Sequence, residues 1–293
     1  MDETRQVTPK SVISIQSHVA FGHVGNASAV FPLQRLGFEV WPIMTVQFSN
    51  HTGYGAWTGQ VFTPEHIASL VDGMRQRGAL DECSAVLSGY MGDAALGQAI
   101  LSLRDEVKRN NPQALYVCDP VMGDVGRGIF VRPGIPELMR DLVAPAADVI
   151  TPNQFELELL TGVRVHHLRD ALEGARKVMA MGPSVVLVTS LHHDETPADR
   201  IEMLAMTRAG AWVTSTPLLP VTPAPNGAGD ALAALFLGHL LHGRPVPEAL
   251  ARSTAGIYAI FEATHAAGTR ELQLIAAQDR LAGGDGVPLR QVA

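Results

Sequence analysis

Short apolar runs alternate with longer amphipathic stretches along the whole chain, and their order predicts its elements. Residues 12–15 read as a strand, and 25–36 as a helix stopped by Gly37. A second strand is expected at 38–44. Residues 64–77 open on Pro64 and keep the spacing of an amphipathic helix. A short strand at 85–87 leads to a helix at 93–109, and 115–118 is a buried strand ending at Asp119-Pro120. Another strand, 148–150, ends at Thr151-Pro152, and the stretch from Asn153 to Glu156 opens a helix. Residues 185–188 are all strand formers. The runs 201–206 and 211–216 flank Arg208-Ala209-Gly210 and predict a β-hairpin. Helices are expected at 228–242, 247–261 and 272–281.

This alternation predicts an α/β fold: a mostly parallel central sheet, flanked by helices on both faces, with an antiparallel edge hairpin. No linker, repeat or low-complexity tract divides the chain, so 1–293 is expected to be a single domain with loose tails at 1–10 and 284–293. Ligands of open α/β sheets sit beyond the carboxyl ends of the strands. Ser17, Asp119, Thr151, Thr189 and the loop 226–230 fall there.

Composition narrows the class. A net charge of −7 argues against nucleic acid or an anionic membrane as a partner. No apolar run approaches the roughly 20 residues of a membrane span, and the first ten residues lack an apolar signal core. The two cysteines, Cys83 and Cys118, are far apart and suit a reducing compartment, so the expected location is cytoplasmic.

The strongest chemical signal is Pro225-Asn226-Gly227-Ala228-Gly229-Asp230, followed by an apolar helix. Small residues let the backbone approach a ligand, and the free amides of a first helical turn favour an anion. Asp230 in that turn is placed to orient an alcohol and take its proton while the amides hold a phosphoryl group. The same pattern also describes an ordinary helix start. GxxxxGK[ST] is absent, and Gly22-His23-Val24-Gly25 is not GxGxxG, so any nucleotide site is of another design. Asp119, Asn153 and Glu156 supply hard oxygen ligands of the kind Mg²⁺ takes, although Asn153 and Glu156 equally make a helix cap. Between Asp119 and Pro133, three glycines with Asp124 and Arg127 describe a mobile loop able to close over a site. His18, His23 and His51 read as structural hydrogen-bonding groups, and Trp41, Trp57 and Trp212 as packing.

Together these residues resemble the pyridoxal kinase branch of the ribokinase-like superfamily over roughly 12–281. The specific stretches are Ser14-Ile15-Gln16-Ser17-His18-Val19 and Val46-Gln47-Phe48-Ser49-Asn50-His51-Thr52-Gly53-Tyr54. Leu87-Ser88-Gly89-Tyr90, Cys118-Asp119-Pro120-Val121-Met122-Gly123-Asp124 and Thr151-Pro152-Asn153-Gln154-Phe155-Glu156 add to them. The Gly-Ala-Gly-Asp turn alone marks only the superfamily.

The resemblance implies ATP-dependent phosphorylation of the 5′-hydroxymethyl group of pyridoxal. It implies Asp230 as catalytic base and Gly227, Ala228 and Gly229 as the anion hole. Ser17, Val24, Phe48, Thr52, Gly53 and Tyr90 would bind the substrate. Asp119, Asp124, Thr151, Asn153, Glu156, Thr189, Ser190 and residues Thr216, Pro217, Leu218 and Leu219 would serve ATP, with Gly227 and Gly229. Asp119 and Glu156 would organise Mg²⁺, with a monovalent cation such as K⁺ near Thr151. A homodimer is also implied. Three positions depart from relatives: Ala228 stands where Thr or Val is common, Thr189 where some carry Lys, and the lid has no cysteine to capture an aldehyde. The alternatives are a hydroxymethylpyrimidine kinase and a vitamin B6 binding protein without turnover.

Overall fold

The computed structural model describes residues 10–293; the expected loose segment 1–10 therefore lies, but for Lys10, outside the described residues. In chain order the elements begin β1 (Ser11–Phe21), α1 (Asn26–Arg35), β2 (Glu39–Asn50), β3 (Gly59–Val61), α2 (Pro64–Arg75), β4 (Cys83–Ser88) and α3 (Leu96–Asn110). There follow β5 (Leu115–Cys118), β6 (Gly123–Asp124), β7 (Gly128–Ile129), α4 (Ile135–Leu138), α5 (Ala144–Ala146), β8 (Val149–Ile150), α6 (Gln154–Thr161) and α7 (Leu168–Met181). The chain ends with β9 (Val185–Leu191), β10 (Arg200–Thr207), β11 (Gly210–Pro217), α8 (Ala228–Leu241), α9 (Val246–Ala267), α10 (Gln278–Gly283) and β12 (Leu289–Gln291).

Ten strands form one sheet in the order β12-β11-β10-β9-β8-β5-β4-β1-β2-β3. The six from β9 to β2 run parallel, while β10, β11, β12 and β3 pair antiparallel. The strand period of two sorts side chains between two cores. Ile13, Ile15, Val86, Tyr116, Cys118 and Ile150 face the layer of α2, α3, α6 and α7. Val12, Ala85, Leu87, Val117, Val149 and Leu187 face α1, α8 and α9. The expected mostly parallel sheet with helices on both faces and an antiparallel hairpin is the architecture found.

Several expectations need correction. β1 and β2 run six residues beyond their expected ends, so 46–50 are strand rather than loop. The reason is β3, which pairs Val46, Phe48 and Gln47 with Val61, Gly59 and Gln60 and carries the sheet onward. The glycine-rich loop contains a two-strand ribbon, β6–β7. The expected helix at 272–281 is confined to α10, because Leu272 and Leu274 are both buried at a spacing of two, which no helix face offers. The tail 284–293 is not loose: β12 pairs with β11, and the Ala211 amide donates to the Ala293 carbonyl at 2.9 Å. Among the described residues no helix is long and apolar enough to cross a membrane.

Candidate active site

The site begins with α8. This helix is buried almost all round its circumference, between the sheet, α1 and α9, so its first turn is held rigidly. Gly227 caps it at φ 89°, and a Cβ there would overlap the His23 carbonyl oxygen; glycine alone allows this approach. The Ser28 hydroxyl donates to the Gly227 carbonyl at 2.8 Å, tying α1 to the same point. The first turn of a helix leaves its amides without intrahelical acceptors. Here Gly227 and Ala228 are partly open and Gly229 is exposed, so packed side chains do not block them.

Two cavities meet at this turn. The first is lined by Ser17, Val24, Phe48, Thr52, Tyr90 and Asp230, the expected substrate residues except Gly53, and also by Gly227. Gly53 lies just outside, next to Thr52, where a Cβ would crowd the His51 ring and the side chains of Asn226 and Arg270. A register shift between β1 and β2 sets Ser17 opposite both Thr45 and Val46, and such bulges re-aim side chains into sites. The second cavity is lined by Thr189, Ser190, Thr216, Pro217, Leu218, Leu219, Ala228 and Gly229. Its remaining walls are apolar: Ile201, Met203, Leu232, Ile257, Tyr258 and Phe261. Ser190 is the single non-glycine residue with positive φ among the described residues, at 49°, and such strain concentrates at functional sites.

Asp119, Asp124, Thr151, Asn153 and Glu156 line neither cavity. Asp119 and Glu156 form a buried acidic layer beside the turn together with Thr151, whereas Asp124 and Asn153 are part-buried. Asp119 is 5% exposed, accepts a hydrogen bond from the Thr151 hydroxyl at 3.2 Å, and its Oδ2 faces Gly229. Burial, then the charges of Glu156 and Asp230, push its carboxyl well above the usual range. Burial also raises Glu156, against the backbone amides that donate to it. Asn153 caps α6 in a capping box with Glu156. The Glu156 Oε1 also takes the Met122 amide at 2.9 Å, and the Asn153 side-chain amide donates to the Gly123 carbonyl at 2.8 Å. Their side chains therefore anchor the lid root. The Asp124 side chain accepts the neighbouring Val125 amide, at 2.7 Å.

Uncompensated negative charge of this kind fits a divalent cation. The free oxygen is Asp119 Oδ2, while the Glu156 oxygens are engaged by amides, so an ion here would keep several waters and take most oxygens from phosphates. Among the described residues no three His, Cys, Asp or Glu form a metal cluster.

Asp230 stands between the cavities and the acidic layer. It is half-buried, and burial pushes it up to about 6 against the lowering influence of its own amide and that of Gly25. A carboxylate with that value is ionised at neutral pH yet basic enough to take a proton.

Sequence reasoning missed several cavity residues. Arg127, Phe130 and Val121 reach the first cavity from the lid, so the lid covers that cavity and not the second. The Arg127 guanidinium donates to the Asn226 Oδ1 at 2.9 Å, latching lid to helix start. The Arg in a glycine-rich loop was the available signal. His51, read as structural, also lines the cavity. The apolar residues Ile257, Tyr258 and Phe261 on α9 carried no signal, because a helix that is apolar on several sides does not say which side meets a cavity.

Comparisons with known proteins fit this geometry. Residues 74–274 match the model of the phosphomethylpyrimidine kinase family. The chain is 58% identical to a pyridoxal kinase of Rubrobacter xylanophilus, over 97% of this chain and 98% of that one. It is 54% identical to a pyridoxal kinase of Deinococcus radiodurans, over 95% of each chain. A solved structure of pyridoxal kinase from Leishmania donovani, in complex with ADP and ginkgotoxin, superposes with a TM-score of 0.89 at 30% identity. It covers 97% of this chain and 100% of its own.

Proposed function

The chain belongs to the pyridoxal kinase family, and from that premise we propose that it transfers the γ-phosphoryl group of ATP to the 5′-hydroxymethyl oxygen of pyridoxal. The observation that carries this is the meeting of two cavities at one helix start. Asp230 faces the first cavity while Ala228 and Gly229 line the second.

The flat pyridine ring suits the first cavity, where Val24, Phe48 and Tyr90 give apolar and aromatic walls and Ser17 and Thr52 give polar contacts. Asp230 accepts the hydroxymethyl hydrogen bond and takes the proton as the oxygen attacks phosphorus. The amides of Gly227, Ala228 and Gly229 hold the transferring oxygens, where backbone dipoles stabilise charge without reorganising. The apolar walls of the second cavity receive the nucleotide base, with Thr189, Ser190 and Thr216 towards its phosphates. Mg²⁺, when bound, neutralises phosphate charge. Asp119 would face it directly and Glu156 through water, with a monovalent cation near Thr151. Asp124, in the lid ribbon, is read as facing the phosphates. The lid excludes water, which competes for the phosphoryl group. We read the protein as a cytoplasmic homodimer; its two buried free thiols support the compartment.

A hydroxymethylpyrimidine kinase is the second reading, favoured by the name of the matching family model. That model covers 74–274 and leaves out Ser17 and Phe48 to Gly53, the residues expected to contact the substrate ring. A coupled ADP-release assay over pyridoxal, pyridoxine, pyridoxamine and hydroxymethylpyrimidine tests the choice. Pyridoxal should give the highest kcat/KM among these alcohols. Faster turnover of the pyrimidine overturns the substrate, and absence of ADP release with every alcohol overturns catalysis.

A further inference from the structure

Glu271, between α9 and α10, reaches two turns near the other end of the chain that border the ring cavity. Its Oε1 accepts hydrogen bonds from the Tyr54 hydroxyl at 2.7 Å and from the His51 Nε2 at 3.1 Å. Its Oε2 accepts the His23 amide at 3.1 Å. Gly22 makes room for this contact, since a Cβ there would overlap the Glu271 carboxylate. The neighbouring Arg270 donates to the Gly53 carbonyl at 2.5 Å and lies over the Tyr54 ring at 4.1 Å. Val24, next to His23, and His51 and Thr52 are cavity walls. None of the residues bonded to Glu271 lines the nucleotide cavity.

Protonation states agree with this arrangement. Burial would raise Glu271, but hydrogen bonds from Tyr54 and His51 outweigh it and hold the carboxyl below the usual range. Burial lowers His51, so its ring is neutral at neutral pH despite the carboxylate. A neutral ring that donates from Nε2 leaves Nδ1 as an acceptor.

We propose that Glu271, assisted by Arg270, is a positioning residue for the alcohol substrate: it ties the turn at 22–24 to the turn at 51–54 and so sets the width of the ring cavity between Val24 and Thr52. The proposal rests on the reading of this cavity as the pyridoxal site. Three donors converge on one carboxylate, and only a carboxylate accepts from all three at once. A glutamine in its place accepts through one oxygen and turns an N–H₂ towards the remaining donors.

The test is steady-state kinetics of E271Q and E271A against both substrates, with thermal melts to establish folding. Loss of the charged hydrogen bonds should raise the pyridoxal KM about tenfold or more while the ATP KM stays within about twofold. A folded E271A with an unchanged pyridoxal KM, or with both KM values rising in parallel, overturns the proposal. If E271A fails to fold, E271Q is judged by the same split. Ring ¹⁵N shifts of His51 should report the Nε2–H tautomer in the unmodified protein; an Nδ1–H ring overturns the assigned contact. Should the unmodified enzyme ignore pyridoxal and phosphorylate another alcohol, the substrate reading has failed. The KM split is then measured with that alcohol.

Discussion

At the scale of single residues, Asp230, as the proposed base, meets two opposed demands. It must be ionised to accept a proton, yet basic enough to hold it. Burial raises it to about 6, and the amides of Gly25 and Asp230 itself oppose that rise. The ionised form is the active one, so kcat/KM should climb as pH rises through about 6 and level above it. A pH profile of kcat/KM for pyridoxal, with ATP saturating, measures this; a flat profile between pH 5 and 8 would remove Asp230 as the titrating base. Asp230→Asn keeps the shape and loses the proton acceptor. We expect kcat to fall by about 10²–10⁴-fold, the usual worth of general-base catalysis, with pyridoxal binding retained. Retained turnover in this variant would count against the assignment. As a cavity residue Asp230 was legible because it lies in a short contiguous motif whose chemistry is local, and Ser17 and Thr52 because the stretches around them resemble a known family. Glu271 was not, because it acts 220 residues from His51 and nothing near it in the chain marks it.

At the scale of elements, the strand and helix order was readable because the apolar period is strong. What escaped depends on pairing or on small residues. β2 continues through Asn50 only because β3 returns beside it, and a three-residue strand has no pattern of its own. α7 was passed over although its period is clear: Ala171, Leu172, Gly174, Ala175 and Val178 make one buried face, three of the five residues being small. The lid was foreseen as a loop, but not its ribbon or its latch. Arg127 stacks against Phe130 at 5.2 Å and donates to Asn226 beside the anion hole, so lid closure and helix start share one side chain. Arg127→Ala should leave the cavity wetter and less well closed. The expected result is a pyridoxal KM raised several-fold, about 1 kcal/mol for one exposed hydrogen bond, and more ADP released per alcohol phosphorylated. Quantifying ADP and phosphorylated product in the same reaction checks it; a ratio of one in the variant would mean that Arg127 does not govern water exclusion.

At the scale of the whole molecule, the proposed nucleotide and alcohol walls come from different parts of the sheet and meet at the start of α8. β1 and β2 shape the ring cavity, whereas β9, β10 and β11 shape the other. That division makes the C-terminal strand a selective lever. β12 covers the outer edge of β11 through pairs from Thr214 to Trp212, and Val292 packs against the core. β11 leads directly into Thr216, Pro217, Leu218 and Leu219. Removing 287–293 would expose an unpaired edge, which invites association with other chains, and would loosen the strand that presents the nucleotide wall. The truncated protein should melt lower and tend to aggregate. Its ATP KM should rise while its pyridoxal KM holds, because β1 and β2 lie seven strands or more from β12. Calorimetry and two-substrate kinetics on the soluble fraction check this. Equal rises in both KM values would mean that the two ends of the sheet are mechanically coupled, and that the division between alcohol and nucleotide walls is weaker than the strand order implies.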